Sequence, residues 1–262
     1  MLDALLTPVA LLGRAALSAC RSTGRLVIFL ADGLSHLVRP PFYPRLFFTA
    51  FAEFGFYSLP LVALIGVFTG MVLALQSSTG LSRFNAESAI ANLVVISITR
   101  ELGPVLTAVM VAGRVGAATA AQIGTMRVTD QIDALSTLST NPMKYLVAPR
   151  MLAGFLALPI LVAVFDVLGV AGGWLVAVLK LGFDSHLYLK NTLDFMTTLD
   201  VVSGLVKGAV FGLLVALLGC FHGYNSKGGA EGVGAATTAA VVTASVLIFF
   251  VDYILTEAFF SQ

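Results

Sequence analysis

Long apolar stretches alternate with short polar segments along this chain of 262 residues. About 20 consecutive apolar residues are enough to cross the hydrocarbon core of a bilayer as a helix. Five stretches satisfy this length, and they predict membrane-spanning helices at residues 54–82, 88–113, 151–179, 201–221 and 236–259. The segments between them are a short loop at 85–87 and longer polar segments at 122–141, 180–200 and 223–234.

The first 50 residues follow a different pattern. Four charged side chains fall on one narrow stripe of a helix at about 100° per residue, and these are Arg14, Arg21, Arg25 and Asp32. This pattern predicts an amphipathic helix that lies in the membrane interface. A first spanning helix with snorkelling arginines is the alternative. Pro40, Pro41 and Pro44 then end the helix.

Composition supports a lipid environment. The chain is 58% hydrophobic and 11% charged, whereas soluble domains carry about 25% charged residues. The formal net charge of +1 gives no field that would attract nucleic acid. The two cysteines, Cys20 and Cys220, are too far apart in sequence to form a metal-binding motif.

Lysine and arginine in the short loops set the orientation of membrane proteins. They are most frequent in the N-terminal segment and in the 122–150 region. The N-terminus and this region are therefore predicted to be cytoplasmic, and five spans then place the C-terminus outside.

Two ionisable residues, Arg100 and Glu101, interrupt the second predicted span. Each costs about 2.5–3.5 kcal/mol at the bilayer centre on insertion scales, so such groups normally face a partner or a cavity. Neighbouring residues on a helix point about 100° apart, so these two need different partners or a shared polar cavity. Lys207, inside the fourth span, is predicted to pair with Glu101. The group is either part of a transport path or an ion pair that locks helices together.

The polar segment between the second and third spans has helical periodicity. Ile132, Leu135 and Leu138 fall on one face, Asn141-Pro142 ends the helix, and Pro149 opens the next one. Such a short amphipathic helix docks into another protein or lies on the membrane.

Small residues recur every four positions on three spans, as at Gly66 and Gly70, Gly169 and Gly173, and Gly204 and Gly208. They predict close helix packing, either within the chain or across a dimer interface.

No catalytic constellation is evident. The sequence contains no Gly-x-x-x-x-Gly-Lys-Ser/Thr loop, so no nucleotide phosphate site is predicted. The glycines near residues 228–234 do not match a dinucleotide fingerprint, and the three histidines are scattered.

The segment 100–154, which begins Arg-Glu-Leu-Gly-Pro and continues through Gly-Thr-Met-Arg-Val-Thr-Asp-Gln-Ile-Asp-Ala-Leu, resembles the signature region of the MlaE/YrbE permease family. Weaker similarity extends over residues 50–260. The resemblance implies a homodimeric permease of an ABC lipid transporter that carries no catalytic activity itself. It also implies a cytoplasmic ATPase dimer that uses the ATP, a periplasmic MCE-domain protein, and location in the cell inner membrane.

The resemblance implies two sets of site residues. The lipid-pocket candidates are Met71, Leu75, Gln76, Arg100, Glu101 and Lys207. The candidates for coupling to the ATPase, within region 122–142, are Gly124, Thr125, Met126, Asp130, Gln131, Ala134 and Leu135. Two positions depart from the family pattern, because Gln122 and Asp130 stand where glutamate is usual.

The expected fold is therefore an all-α integral membrane protein. An N-terminal interfacial segment, 1–50, precedes a transmembrane permease domain, 51–262, with about five spans and a short cytoplasmic coupling helix. The expected function is movement of phospholipid or a related lipid between the inner and outer membranes, which maintains outer-membrane lipid asymmetry. The alternatives are a stand-alone secondary transporter or channel, and a scaffold that only assembles partners. The chain itself is expected to bind no cofactor, metal or nucleic acid.

Overall fold

The computed structural model describes residues 2–40, 42–81 and 88–261, and the regular structure in these ranges is helical. The α-helices are α1 Leu2–Val38, α2 Pro44–Phe51, α3 Leu59–Leu81, α4 Ser88–Ser97, α5 Gly103–Val111, α6 Ala117–Val128, α7 Gln131–Thr137, α8 Ala148–Leu179, α9 Ser185–Phe195, α10 Thr198–Tyr224 and α11 Gly229–Phe260. Four π-helical turns also lie in these ranges. Ala52–Phe56 follows α2, Ile98–Leu102 connects α4 to α5, Ala112–Gly116 connects α5 to α6, and Met143–Val147 leads into α8. The predicted loop 85–87 lies outside the described residues.

Five continuous helices are long and apolar enough to cross a membrane, and they confirm the five predicted spans. They are Pro44–Gly80, Ala89–Val128, Met143–Leu179, Thr198–Tyr224 and Gly229–Phe260. Each is longer than predicted at one end or both, because polar residues that close an apolar stretch can still continue a helix. The fourth span, for example, starts with a capping box in which the side chains of Thr197 and Asp200 each accept a backbone N–H of the other residue.

The N-terminal helix α1 is 37 residues long and is not among these five helices. It contacts the spans through Phe29, whose ring packs edge-on against Phe221 at 5.5 Å. The interfacial location of segment 1–50 remains a prediction. The first span begins at Pro44, inside that segment, so the spanning region is not confined to 51–262.

The third span is the centre of the bundle, with α3 packed on one side of α8 and α10 on the other. Glycines make both contacts close. A Cβ on Gly70 would clash with the carbonyl oxygen of Gly169, and one on Gly212 would clash with the carbonyl oxygen of Gly154. The small-residue stripes on these spans therefore pack within the chain, which is the first of the two predicted alternatives.

The polar segments contain more helix than the sequence predicted. The segment 180–200 was expected to be a loop, but it contains α9, which docks on the bundle through the buried Tyr188. Burial raises the pKa of Tyr188 to about 12, so this tyrosine stays neutral. The glycine-rich segment 223–234 was also expected to lie between helices. Its second half is helical, because α11 begins at Gly229.

Candidate functional site

The second span bends where Arg100 and Glu101 lie. The π-helical turn Ile98–Leu102 ends with the Gly103 N–H donating to the carbonyl of Ile98, five residues back. Pro104 follows and has no N–H, so the carbonyl of Arg100 lacks its helical donor. Lys207 Nζ fills that gap and donates to the Arg100 carbonyl at 2.9 Å. The bend and the buried lysine therefore depend on each other.

Lys207 is fully buried and surrounded by four acceptors. Besides the Arg100 carbonyl, its Nζ donates to Glu101 Oε1 at 3.0 Å and Thr256 Oγ1 at 2.7 Å. Asp252 Oδ1 lies 2.8 Å away as an ion-pair contact without hydrogen-bond geometry. An ammonium has three N–H donors, so three hydrogen bonds and one charge contact use its full capacity. The predicted pairing of Glu101 with Lys207 is confirmed.

Arg100 has a separate partner, as predicted from the 100° offset. Its Nε donates to Asp200 Oδ1 at 2.6 Å, and the Asp200 side chain is only 1% exposed. The other oxygen of Asp200 accepts the Thr197 N–H at 2.8 Å. The ring of Phe260 lies 4.1 Å from the guanidinium carbon. Arg100 is thus held by the start of α10 and the end of α11.

An open groove of about 710 Å³ lies between α3 and the bend. Its lining includes Val72, Gln76 and Leu102, and Leu102 directly follows Glu101. Phe68 and Ile65 add apolar surface on the same face of α3. The groove is therefore mainly apolar, with Thr69 and Gln76 as its polar lining, and it reaches the π-helical turn of the second span at Leu102.

Two of the predicted lipid-pocket residues lie outside the lining of this groove. Met71 and Leu75 are half-buried and pack against the core of the chain, and neither lines the groove. The reason is helical rotation, because each residue lies about 100° from the next. Val72 and Gln76 occupy the groove face, while Met71 and Leu75 flank it. Of the predicted set, the structure brings Arg100, Glu101 and Lys207 together and places Gln76 in the adjoining groove.

Three acidic residues with mostly buried side chains were not predicted as site residues, and these are Asp166, Asp200 and Asp252. Asp252 carried the same signal as Glu101, an ionisable group inside an apolar span. Asp200 was assigned to a loop. Asp166, inside α8, is 9% exposed and forms no ion pair among the described residues. Its Oδ1 occupies the space that a Cβ on Gly103 would need, so it packs directly against the bend.

The predicted coupling region is divided between two helices. Gly124, Thr125 and Met126 lie near the end of α6, and α7 begins at Gln131. Between them Asp130 has a φ of 58°, in the left-handed region. The short helix predicted in region 122–142 therefore corresponds to α7, while Gly124, Thr125 and Met126 belong to the end of the second span.

The apolar face of α7 points into its own chain. Ile132 is 1% exposed and Leu135 is half-buried against the core. Gly124 is also buried, since a Cβ there would meet Ser226 Oγ at 3.2 Å. The predicted coupling residues that the structure leaves exposed are Thr125, Asp130, Gln131 and Ala134. Leu138, which is 74% exposed, is the apolar side chain available beside them.

Gln122, one of the two departures from the family pattern, lies in α6 two residues before Gly124. Its Oε1 accepts a hydrogen bond from Arg150 Nη2 at 2.8 Å. A neutral amide therefore fills the place opposite Arg150 where a glutamate would form an ion pair. The Asp130 side chain, the other departure from the family pattern, is exposed at the turn between α6 and α7.

Comparison with known proteins gives a consistent result. Residues 47–258 match the family model described as Permease MlaE. A probable ABC transporter permease protein of Rickettsia bellii is 52% identical over 249 residues, which cover 95% of this chain and 96% of the relative. The intermembrane phospholipid transport system permease protein MlaE of Haemophilus influenzae is 38% identical over 209 residues, 79% of each chain. A probable ABC transporter permease protein of Synechocystis is 42% identical over 203 residues, which cover 78% of this chain and 77% of the relative.

Proposed function

The chain belongs to the MlaE permease family, and we propose that it is the multi-pass permease subunit of an ABC transporter that moves phospholipid or a related lipid between the inner and outer membranes. It carries no catalytic activity itself. The observation that supports lipid as cargo is the mainly apolar groove lined by Val72 and Gln76, which ends at Leu102 in the same π-helical turn that carries Arg100 and Glu101. An apolar groove suits acyl chains, and a guanidinium such as Arg100 suits a phosphate.

The proposal includes the partners that a permease of this kind requires. A cytoplasmic ATPase dimer supplies ATP hydrolysis, since this sequence has no phosphate-binding loop. A second copy of the chain, a periplasmic MCE-domain protein and location in the inner membrane complete the assembly. Its role is to maintain the lipid asymmetry of the outer membrane.

The test is lipid-stimulated ATP hydrolysis by the complex reconstituted in phospholipid vesicles. Val72 lines the groove and is 57% exposed, so Val72→Trp fills the groove and should abolish most of the stimulation. Leu64 lies on the same helix, is 56% exposed and does not line the groove. Leu64→Trp is therefore a matched control that should retain the stimulation.

The alternative functions predict other results. A secondary transporter or channel would move lipid without the ATPase subunit. A scaffold would assemble the complex, and its ATP hydrolysis would not respond to lipid. Equal effects of the two tryptophan variants would contradict the assignment of the groove.

A further inference from the structure

A second groove, of about 760 Å³, lies between the first and second spans and includes Glu53, Arg114 and Ala118 in its lining. Glu53 immediately precedes the uncharged stretch of the first span, and Arg114 immediately follows the apolar part of the second. Both residues therefore mark the edge of the hydrocarbon zone, where lipid head groups lie. Gln76 is 23 residues further along the first span, about 35 Å along a helix, so the two grooves are distinct.

The two spans meet here through π-helical turns, Ala52–Phe56 and Ala112–Gly116. The Tyr57 and Ser58 N–H groups donate to the carbonyls of Ala52 and Gly55. In a regular α-helix or π-helix the Glu53 carbonyl would accept the N–H of Tyr57 or of Ser58. Since both N–H groups donate to other carbonyls, the Glu53 carbonyl has neither donor. Arg114 supplies one, because its Nη1 donates to that carbonyl at 3.2 Å. π-Helical turns inside α-helices frequently mark functional sites.

Arg114 is anchored by one end only. Its Nη1 also donates to the hydroxyl of Ser58 at 2.7 Å, and Ser58 is 1% exposed. Nε and Nη2 form the opposite edge of the guanidinium, and neither has a hydrogen-bond partner in the described part of the chain. Two parallel N–H donors on one edge match two oxygens of a phosphate.

Arg114 has no carboxylate within ion-pair distance in the described part of the chain. Gln122, which lines the same groove, is neutral, and its Oε1 is already bonded by Arg150. Glu53 lines the groove without an ion-pair contact to Arg114. The groove thus holds one cationic edge and one separate carboxylate, both at head-group level.

We propose that this groove binds the head group of a membrane phospholipid that carries a phosphate and an amine, such as phosphatidylethanolamine. The phosphate takes the Nε and Nη2 edge of Arg114, and the amine faces Glu53. Phe56 and Tyr57, 71% and 59% exposed, lie beside it as interfacial aromatic residues. This site goes beyond the transport groove and binds lipid whether or not the chain transports it.

The site is tested with a photo-crosslinking amino acid at Ala118 in the full chain, in nanodiscs of phosphatidylethanolamine and phosphatidylglycerol. Crosslinked lipid is identified by mass spectrometry. Charge-assisted hydrogen bonds contribute about 1.5–3 kcal/mol, so Arg114→Gln should lower capture of phosphatidylethanolamine at least about tenfold. Arg45 is an exposed arginine at the start of α2 and is outside the groove, so Arg45→Gln is the matched control and should leave capture unchanged. Equal loss in both variants would show general interfacial attraction and overturn the proposal.

Further variants separate binding from folding. Arg114→Lys keeps the charge and can still donate to Ser58, but it lacks the two-donor edge, so capture should be intermediate. Full capture by this variant would contradict the two-donor contact. Glu53→Gln should reduce the preference for phosphatidylethanolamine over phosphatidylglycerol, and an unchanged preference would contradict the amine contact.

Two controls identify the source of the phosphate and separate this site from the transport groove. Soluble glycerophosphoethanolamine should compete with the lipid at Ala118, whereas inorganic phosphate at the same concentration should not. Equal competition by inorganic phosphate would mean a free-phosphate site and would overturn the head-group assignment. A crosslinker at Gln76 reports on the transport groove alone, so capture at Gln76 without capture at Ala118 refutes only this inference.

Discussion

Lys207 is a fully buried cation with two carboxylates in contact, Glu101 at 3.0 Å and Asp252 at 2.8 Å. Removing one member of a buried ion pair costs about 3–5 kcal/mol, because the remaining charge is left uncompensated. Loss of the lysine leaves two carboxylates close together, whereas loss of Glu101 leaves Lys207 still paired with Asp252. The three residues are therefore not equivalent.

We expect Lys207→Met to destabilise the folded chain by about 3–5 kcal/mol and Glu101→Gln to cost less. Adding Glu101→Gln to Lys207→Met should recover part of the loss, since it removes one of the two unpaired carboxylates. Thermal unfolding of the purified single and double variants in one detergent measures this coupling. Additive effects would mean that the two side chains do not interact.

Asp166 is the opposite case, a buried carboxyl with no cation beside it in the described part of the structure. Asparagine has nearly the same size and no ionisable group, so it retains the packing against Gly103 without the cost of burying a carboxyl group that lacks a cation partner. We expect Asp166→Asn to leave the unfolding temperature unchanged or to raise it. Asp200→Asn, which removes the charge partner of Arg100, should lower it. A large loss with Asp166→Asn would show that its charge has a partner.

The sequence predicts ion pairs in this bundle only where the charges lie inside recognised spans. Glu101 and Lys207 meet that condition, and their contact is confirmed. Asp252 meets it too, inside the last span, although it was not among the predicted site residues. The Arg100–Asp200 contact depends on where α10 begins, and that start is fixed by a capping box rather than by hydropathy.

Hydropathy alone located all five spanning helices, but it could not find the π-helical turns. A π-helical turn changes the hydrogen-bond register without changing the apolar pattern, and its position depends on contacts with distant residues. Arg114 bonding to the Glu53 carbonyl is one such contact. On α3 the sequence placed Gln76 in the candidate pocket, and the groove takes Val72 in place of the neighbouring Met71.

The helix α7 was predicted to dock on a partner through its apolar face, yet that face packs against its own chain. The side chains that remain exposed are Gln131 and Ala134 on α7 and Leu138 directly after it. The coupling role of the candidate residues in region 122–142 remains a prediction.

We expect Ala134→Arg to weaken co-purification of the ATPase subunit, since a long side chain on an exposed helix face blocks close contact. The permease should keep its elution profile in detergent, because Ala134 contributes nothing to the buried core. Leu135→Asp is the contrasting variant. It places a charge against the core, so it should damage the permease as well as the complex. An intact, fully active complex with Ala134→Arg would place the ATPase contact elsewhere.

At the scale of the whole molecule, the spans differ in how much they are buried by one chain. In the second, third and fourth spans, between 50% and 56% of an 18-residue apolar stretch is buried, compared with 28% in the first span and 17% in the last. The first and last spans are thus peripheral, and their apolar surfaces face lipid or another copy of the chain. Both grooves open along the first span, so the two proposed lipid contacts share its exposed face.

The sequence has no Gly-x-x-x-x-Gly-Lys-Ser/Thr loop, and the described residues form no strand from which such a loop could lead into a helix. Lysines and arginines that could contact a phosphate are present, but a nucleotide site also needs a cradle of backbone N–H groups. We therefore expect the purified chain to show no saturable ATP binding in a fluorescent-nucleotide titration, while the complex with its ATPase subunit binds ATP. Saturable binding by this polypeptide alone, competed by unlabelled ATP, would contradict its assignment as a permease subunit that depends on a separate ATPase.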